Sequence, residues 1–161
     1  MVMFLKSNGN DSTLQMVYQL STELAKDPEQ IRLVQSLTID PSRPFIGLKG
    51  TYGLFGSSEW WENIKNRILP TCHVSGVIKR LFVSGQEKDS ENNAFELLLD
   101  DGSRYIESIY SNTVAGRSLF KVGNKVEIIY ALDELKMQPA VSGGVNYSKI
   151  VLEMAVHVPK A

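Results

Sequence analysis

The chain holds few of the cysteine and histidine residues that bind zinc or form a thiol–imidazole pair: one cysteine and two histidines. Cys72 and His73 are adjacent, and adjacent side chains of an extended chain point in opposite directions. Only His157 could join them, whereas a zinc site needs about four ligands at workable spacing. The same geometry opposes a reaction in which His73 activates Cys72. The sequence therefore predicts no metal site and no cofactor, and it identifies no catalytic residue.

A glycine-rich segment is the second feature that could do chemistry. Residues 47–56 read G-L-K-G-T-Y-G-L-F-G, with glycine at every third position. A phosphate-binding loop would need G-x-x-x-x-G-K-[S/T] or G-x-G-x-x-G, and this segment has neither pattern. Two interpretations remain. The segment is a tightly folded connection that buries its apolar side chains, which we favour, or an adaptable loop that offers Tyr52 and Phe55 to a partner.

Two adjacent tryptophans follow this segment on a short predicted helix capped by Ser57 or Ser58. Trp60 and Trp61 point about 100° apart on a helix, so one is expected in the core and the other partly accessible. Tryptophan is enriched at binding hot spots, although a structural role is the simpler interpretation. We predict a recognition surface made of the glycine segment, one tryptophan and the acidic 84–93 loop, which could steer a basic partner.

The elements that would position these residues begin with helices. Asp11 or Ser12 is expected to cap a helix that runs to about Lys26. Asp27 and Pro28 then start a second short helix, with proline at its first position. The pair either packs on a larger body, which is the simpler interpretation, or docks a partner.

From Val74 onward the pattern is that of strands. Alternating apolar residues and turn signals predict strands at residues 74–85, 94–99, 104–110, 126–132 and 148–158. Asp101-Gly102 is a strong hairpin signal between the second and third of them. The predicted core comprises Leu97, Leu99, Val126, Ile128, Leu152 and Met154.

This order of strands resembles the OB-fold, a five-stranded Greek-key barrel with an insertion between its third and fourth strands. The resemblance covers roughly the last 85 residues and rests on topology. The predicted class is α+β, with short N-terminal helices packed on a C-terminal five-stranded antiparallel OB-like β-barrel. We divide the chain into a helical region with the glycine-rich loop at 1–69 and the barrel at 70–161, which together form one compact unit.

The resemblance implies a ligand surface on the second and third strands, for a single-stranded nucleic acid or an oligosaccharide. It nominates Lys79, Arg80, Arg104, Tyr105 and Tyr110 as binding residues. Base stacking needs aromatic residues beside a positive groove. Acidic residues crowd this region, and the net charge of −1 is evenly spread: seven basic and seven acidic residues in 1–69, ten and eleven in 70–161. Charge therefore disfavours a nucleic-acid partner.

The totals favour a cytoplasmic protein. A single cysteine fits a reducing compartment. No apolar run approaches the roughly 18 residues of a membrane span. The apolar run at the N-terminus is also shorter than the roughly 7–15 residues of a signal-peptide core. We therefore expect a non-enzymatic binding module that recognises another protein. In size and composition the chain resembles bacterial toxin-neutralising immunity proteins and chaperone-like adaptors. An enzyme whose site assembles from separate strands stays the third hypothesis.

Overall fold

A computed structural model describes residues 4–5, 13–85 and 91–159. The elements along the chain are β1 (Leu14–Gln19), α1 (Leu20–Lys26), α2 (Pro28–Ile39), α3 (Ser58–Lys65), β2 (Thr71–Phe82), β3 (Ala94–Leu99), β4 (Arg104–Ser108), α4 (Val114–Arg117), β5 (Lys125–Glu134) and β6 (Tyr147–His157). The cap predicted at Asp11 or Ser12 lies outside the described residues, as does half of the acidic 84–93 loop, residues 86–90. None of the helices in the described ranges is long and apolar enough to cross a membrane.

The strands form one antiparallel sheet in the order β1-β6-β5-β2-β3-β4. The predicted α+β class is confirmed. The predicted closed five-stranded barrel is wrong, because the sheet is open and has six strands. Closure would require β4 to pair with β6, but β1 occupies the outer edge of β6 instead. β1 and β4 are therefore the two edges of the sheet.

The sixth strand comes from a segment predicted as helix. Leu14–Gln19 pairs antiparallel with β6, with Gln19 opposite Glu153, and the helix begins only at Leu20. Val17 and Tyr18 are β-branched and aromatic residues, which suit a half-covered strand. The hydrophobic spacing fits either structure, so the edge offered by β6 decides in favour of a strand.

The predicted core is observed. Leu97, Val126, Ile128, Leu152 and Met154 are all at most 1% exposed, and Leu99 is half-buried against them. The other face of β5 is also covered at its end, where Ala131 and Asp133 are fully buried. Trp60 of α3 packs there, since its indole Nε1 donates a hydrogen bond of 2.9 Å to the Asp133 carboxylate. The sheet thus has structure packed on both faces beside β5.

Candidate binding cleft

A cleft of about 430 Å³ opens beside β6, between the sheet and the segment that carries α1 and α2. Its lining comes mainly from the end of β1, α2, the glycine-rich loop and the first half of β6, with single residues from α1 and from just beyond the ends of β4 and β5: Leu20, Tyr110 and Leu135. Its lining is mostly apolar and aromatic, which is the usual character of a binding site in a protein.

The wall formed by α2 touches the core only through partly buried residues, Ile31 and Val34. Asp27 caps this helix, as predicted, by accepting a hydrogen bond of 3.3 Å from the Gln30 N–H. No residue of α2 is fully buried. Val34 and Leu37 face the cleft, whereas Leu33 on the same helix is 55% exposed. A helix that buries so little apolar surface leaves room for a partner to cover it.

The glycine-rich loop forms the base of the cleft, and its glycines let α2 approach closely. Gly47, Gly50, Gly53 and Gly56 all have positive φ. A Cβ added at Gly47 would lie 2.8 Å from Leu37 Cγ. The Gln35 side chain also donates a hydrogen bond of 2.9 Å to the Phe55 carbonyl. The structure therefore agrees with the favoured interpretation, a tightly folded connection that only glycine permits at these positions.

Lys149 lines the cleft on the sheet side and lies against two tyrosines, Tyr105 and Tyr130, that are not part of the lining. Tyr105 donates a hydrogen bond of 2.8 Å to the Tyr130 hydroxyl, which in turn donates one of 2.6 Å to the Glu107 carboxylate. The Lys149 ammonium lies 5.4 Å from the centre of each of these two tyrosine rings. This cation–π arrangement holds a positive charge beside the cleft. A second ring pair, Tyr18 and Tyr110, meets edge to face at 5.1 Å.

The phenols are suited to hydrogen bonding and poorly suited to acid–base catalysis. Burial raises the pKa of Tyr18 to about 12, with a further contribution from the Glu23 carboxylate. Burial, and then the hydrogen bond to Glu107, raise the pKa of Tyr130 well above its ordinary value. A general base must titrate near the working pH, which these phenols do not. The arrangement can therefore orient a polar group of a ligand, and it resembles a recognition site more than a reaction centre.

The residues predicted around the glycine loop are only partly accessible. Trp60 has no exposed surface and Phe55 is 5% exposed, and their rings pack 4.9 Å apart. Tyr52 and Trp61 are half-buried. One tryptophan in the core and the other partly accessible is the arrangement predicted. A binding role for these four residues stays a prediction, and Tyr52 and Trp61 are the ones with surface to offer.

The residues nominated by the OB-fold resemblance are divided between the two faces of the sheet. Arg80 lies opposite Glu96, with the two side chains 3.7 Å apart, and its guanidinium stacks 4.2 Å from the Phe82 ring. Arg104 alternates with Tyr105 along β4 and is exposed. Tyr105 and Tyr110 pack inward on other tyrosines, and Lys79 falls at an irregularity in the β2–β3 pairing. The structure therefore does not bring the cations and the rings into one groove.

The two histidines do meet, but across the sheet from Cys72. His73 and His157 each contact the Glu127 carboxylate, at 3.0 and 2.5 Å. Cys72 lies opposite Tyr130 in the sheet, and its neighbour His73 lies opposite Ile129. Their side chains therefore point to opposite faces, as the sequence indicated. Among the described residues no group of three histidine, cysteine or acidic side chains is arranged to hold a metal ion.

Three residues of the cleft region were missed from the sequence. Tyr18 lies in the segment predicted as helix, where it is not one of the residues of the apolar face. Lys149 comes just before Ile150, where the clear alternation of the last strand begins. Glu107 was counted only as an acidic residue that disfavours nucleic acid. Its period-two spacing from Tyr105 was a usable signal, because residues i and i+2 share one face of a strand.

The family model described as Immunity protein RhsI2 matches residues 14–157, from the first residue of β1 to the last of β6. No curated protein matches the chain.

Proposed function

The chain belongs to the RhsI2 immunity protein family, and from this premise we propose that it binds a cognate protein toxin and holds it inactive. The match across residues 14–157 is the observation that carries the proposal. It spans every helix and strand of the described structure, so the whole sheet and its helices belong to the matched unit.

The character of the cleft supports binding as the mechanism. Its apolar and aromatic lining offers rigid contact area, and tyrosine is among the residues enriched at interface hot spots. Tyrosine phenols are neutral at pH 7 because their ordinary pKa is near 10, and burial raises the pKa values of Tyr18 and Tyr130 further. The chain would act as a stoichiometric inhibitor without chemistry of its own. The single cysteine fits a reducing compartment, and we propose that this encounter takes place in the bacterial cytoplasm.

Co-expression tests the proposal directly. A candidate toxin domain is sought among the products of neighbouring genes and is produced in a bacterial host with the chain, without it, or with an immunity protein of another toxin. We expect growth to be restored by this chain alone. Failure to restore growth, or equal protection by the unrelated immunity protein, would contradict the proposal.

Titration of purified proteins separates binding from catalysis. An inhibitor that works by binding should neutralise the toxin completely at one equivalent and should co-elute with it as a complex. An enzyme that reverses the toxin's effect would work at a small fraction of an equivalent. Neutralisation well below one equivalent would therefore reject a purely binding role.

A further inference from the structure

Half of β6 has a neighbouring strand on only one side. β1 pairs with the stretch from Glu153 to His157 and then turns into α1 at Leu20. Among the residues that the structure describes, no strand pairs with 147–152 on the side away from β5. The cleft lies along this stretch, because residues 148–151 line it. The cleft therefore contains an open sheet edge.

The hydrogen bonds of β5 show which backbone groups this edge offers. Leu132 N–H donates to the Pro70 carbonyl at 2.9 Å, on the β2 side, whereas Leu135 N–H donates to Asn146 at 3.0 Å, on the β6 side. The backbone groups of successive residues point alternately to the two sides of an antiparallel strand. Because the backbone of Leu132 points to β2, its partner Lys149 makes no backbone hydrogen bond to β5. The N–H and C=O of Lys149 therefore point to the open side. By the same alternation the backbone N–H and C=O of Tyr147 also point to the open side.

The two sides of this edge differ in chemistry. Apolar side chains line one side: Val34, Leu37 and Leu48. The Lys149 ammonium and the rings of Tyr18 and Tyr110 line the other. Successive side chains of an added strand would point alternately to these two sides. A strand with apolar residues at one set of positions and an acidic or amide residue at the other would be complementary to both.

We propose that an extended segment of the toxin adds to the sheet along Tyr147–Val151 as a seventh strand; this inference rests on the proposed function. Backbone hydrogen bonds from Tyr147 and Lys149 supply the general affinity of such strand addition. The apolar wall and the Lys149 charge select the toxin's sequence. Natural proteins usually cover or shorten an open edge, so an edge left open within a cleft is suited to a partner strand.

A second copy of this chain fits the edge less well than a toxin segment. Antiparallel pairing of two copies about Lys149 would bring the two lysines opposite each other. Like charges directly opposite on neighbouring strands are destabilising. The lysine thus disfavours self-association, while an acidic residue on a toxin strand would be attracted to the same position.

A proline substitution tests the backbone contact. Lys149→Pro removes the N–H that faces the cleft and leaves the N–H groups bonded to β5 in place, as proline is tolerated at strand edges. Lys149→Ala is the matched control, since it removes the same side chain and retains the N–H. We expect the Kd of Lys149→Pro for the toxin domain to exceed that of Lys149→Ala by roughly tenfold or more. Equal affinities, with equal melting temperatures, would overturn the inference.

Hydrogen exchange on the wild-type protein gives a test that does not depend on a variant folding. In the free protein the Ser148 and Ile150 amides should be protected by β5, and the Tyr147 and Lys149 amides should exchange rapidly. Toxin binding should protect Tyr147 and Lys149. If the toxin binds and these two amides stay unprotected, strand addition is wrong and the proposed function stands.

Two further outcomes are informative. Protection of Tyr147 and Lys149 without toxin, rising with protein concentration, would assign the edge to a second copy and overturn the inference. A wild-type protein that neither binds the toxin nor restores growth would overturn the proposed function together with this inference.

Discussion

Asp133 is a carboxylate with no exposed surface, and it shows how one residue can make stability depend on pH. Its Oδ2 accepts the Trp60 indole hydrogen bond, while its Oδ1 has no hydrogen-bond partner in the described part of the chain. Burial raises the pKa of Asp133, and the bond from Trp60 opposes this only in part. The folded protein then binds a proton more tightly than the unfolded chain. The free energy of unfolding therefore falls as the pH rises from the pKa of this carboxyl in the unfolded chain to its higher pKa in the folded protein.

Asp133→Asn should remove this dependence. The variant keeps an oxygen for the Trp60 indole and carries no charge, so its stability relative to wild type should increase as the pH rises from about 4 to 7. Urea denaturation at several pH values measures the difference. Asp101→Asn is the control, because Ser103 hydrogen bonds lower the pKa of exposed Asp101, and its small effect should have the opposite sign. A difference that stays constant with pH would contradict the prediction.

Phe55 and Tyr52 lie in the same loop but differ in burial, so their truncation should have different effects. Phe55 is packed against Trp60 and almost fully buried. Phe55→Ala should therefore lower the free energy of unfolding by about 3–5 kcal/mol. Tyr52 is half-buried, and Tyr52→Ala should cost less stability while weakening toxin binding by more than about 1 kcal/mol.

Thermal denaturation and affinity measured on both variants check this pair of expectations. A stable Phe55→Ala protein that has lost affinity would show that Phe55 contacts the partner directly. An unstable Tyr52→Ala protein with normal affinity would remove Tyr52 from the recognition surface. Each result would change the role given to one residue and would not change the description of the fold.

At the scale of elements, α2 depends on the glycine-rich loop for its position. Gly47 has φ +93°, and a Cβ there would meet Leu37 of α2 at 2.8 Å. Gly143 has φ +96° and nothing within 4 Å of the corresponding Cβ. The two positions therefore share the same backbone requirement and differ only in whether a helix lies against them.

Gly47→Ala and Gly143→Ala form a matched pair that separates strain from packing. Both should lose about 1–2 kcal/mol, because an L-residue disfavours the left-handed region. Gly47→Ala should lose more than this and should also weaken toxin binding, since α2 must move away from the loop. Chemical denaturation and affinity measurements provide the comparison. Equal losses in the two variants would show that α2 adjusts without cost.

At the scale of the whole molecule, the even charge distribution predicts how the complex responds to salt. The net charge is −1, and both parts of the chain carry nearly equal numbers of acidic and basic residues. Ion pairs with the toxin should therefore contribute little to the affinity. Raising the salt from about 50 to 200 mM should weaken binding less than tenfold, against the roughly 10³–10⁵ lost by proteins that neutralise many phosphates. Titration calorimetry at the two salt concentrations checks this. A loss in the larger range would show that ion pairs dominate the interface with the toxin and would contradict this prediction.

The sequence by itself determined the features that depend on neighbouring residues. Alternation of side chains placed Val126 and Ile128 in the core, and glycine spacing predicted a tightly folded loop, whose four glycines have positive φ in the structure. Asp27 and Pro28 predicted the start of α2. The resemblance in size and composition to immunity proteins is confirmed at the level of the family. The structural predictions succeeded because strand alternation, turns and helix caps each depend on residues only a few positions apart in the sequence.

Only the tertiary structure decided whether Leu14–Gln19 is helix or strand. Its apolar spacing suits both, and the choice depends on the edge of β6, which lies more than 130 residues further along the chain. The same pairing keeps the sheet open, because β1 takes the edge that a barrel would use for closure. It also ends at Glu153 and leaves Tyr147–Val151 beside the cleft. Which backbone edges are left unpaired is a property of long-range pairing, and no local pattern encodes it.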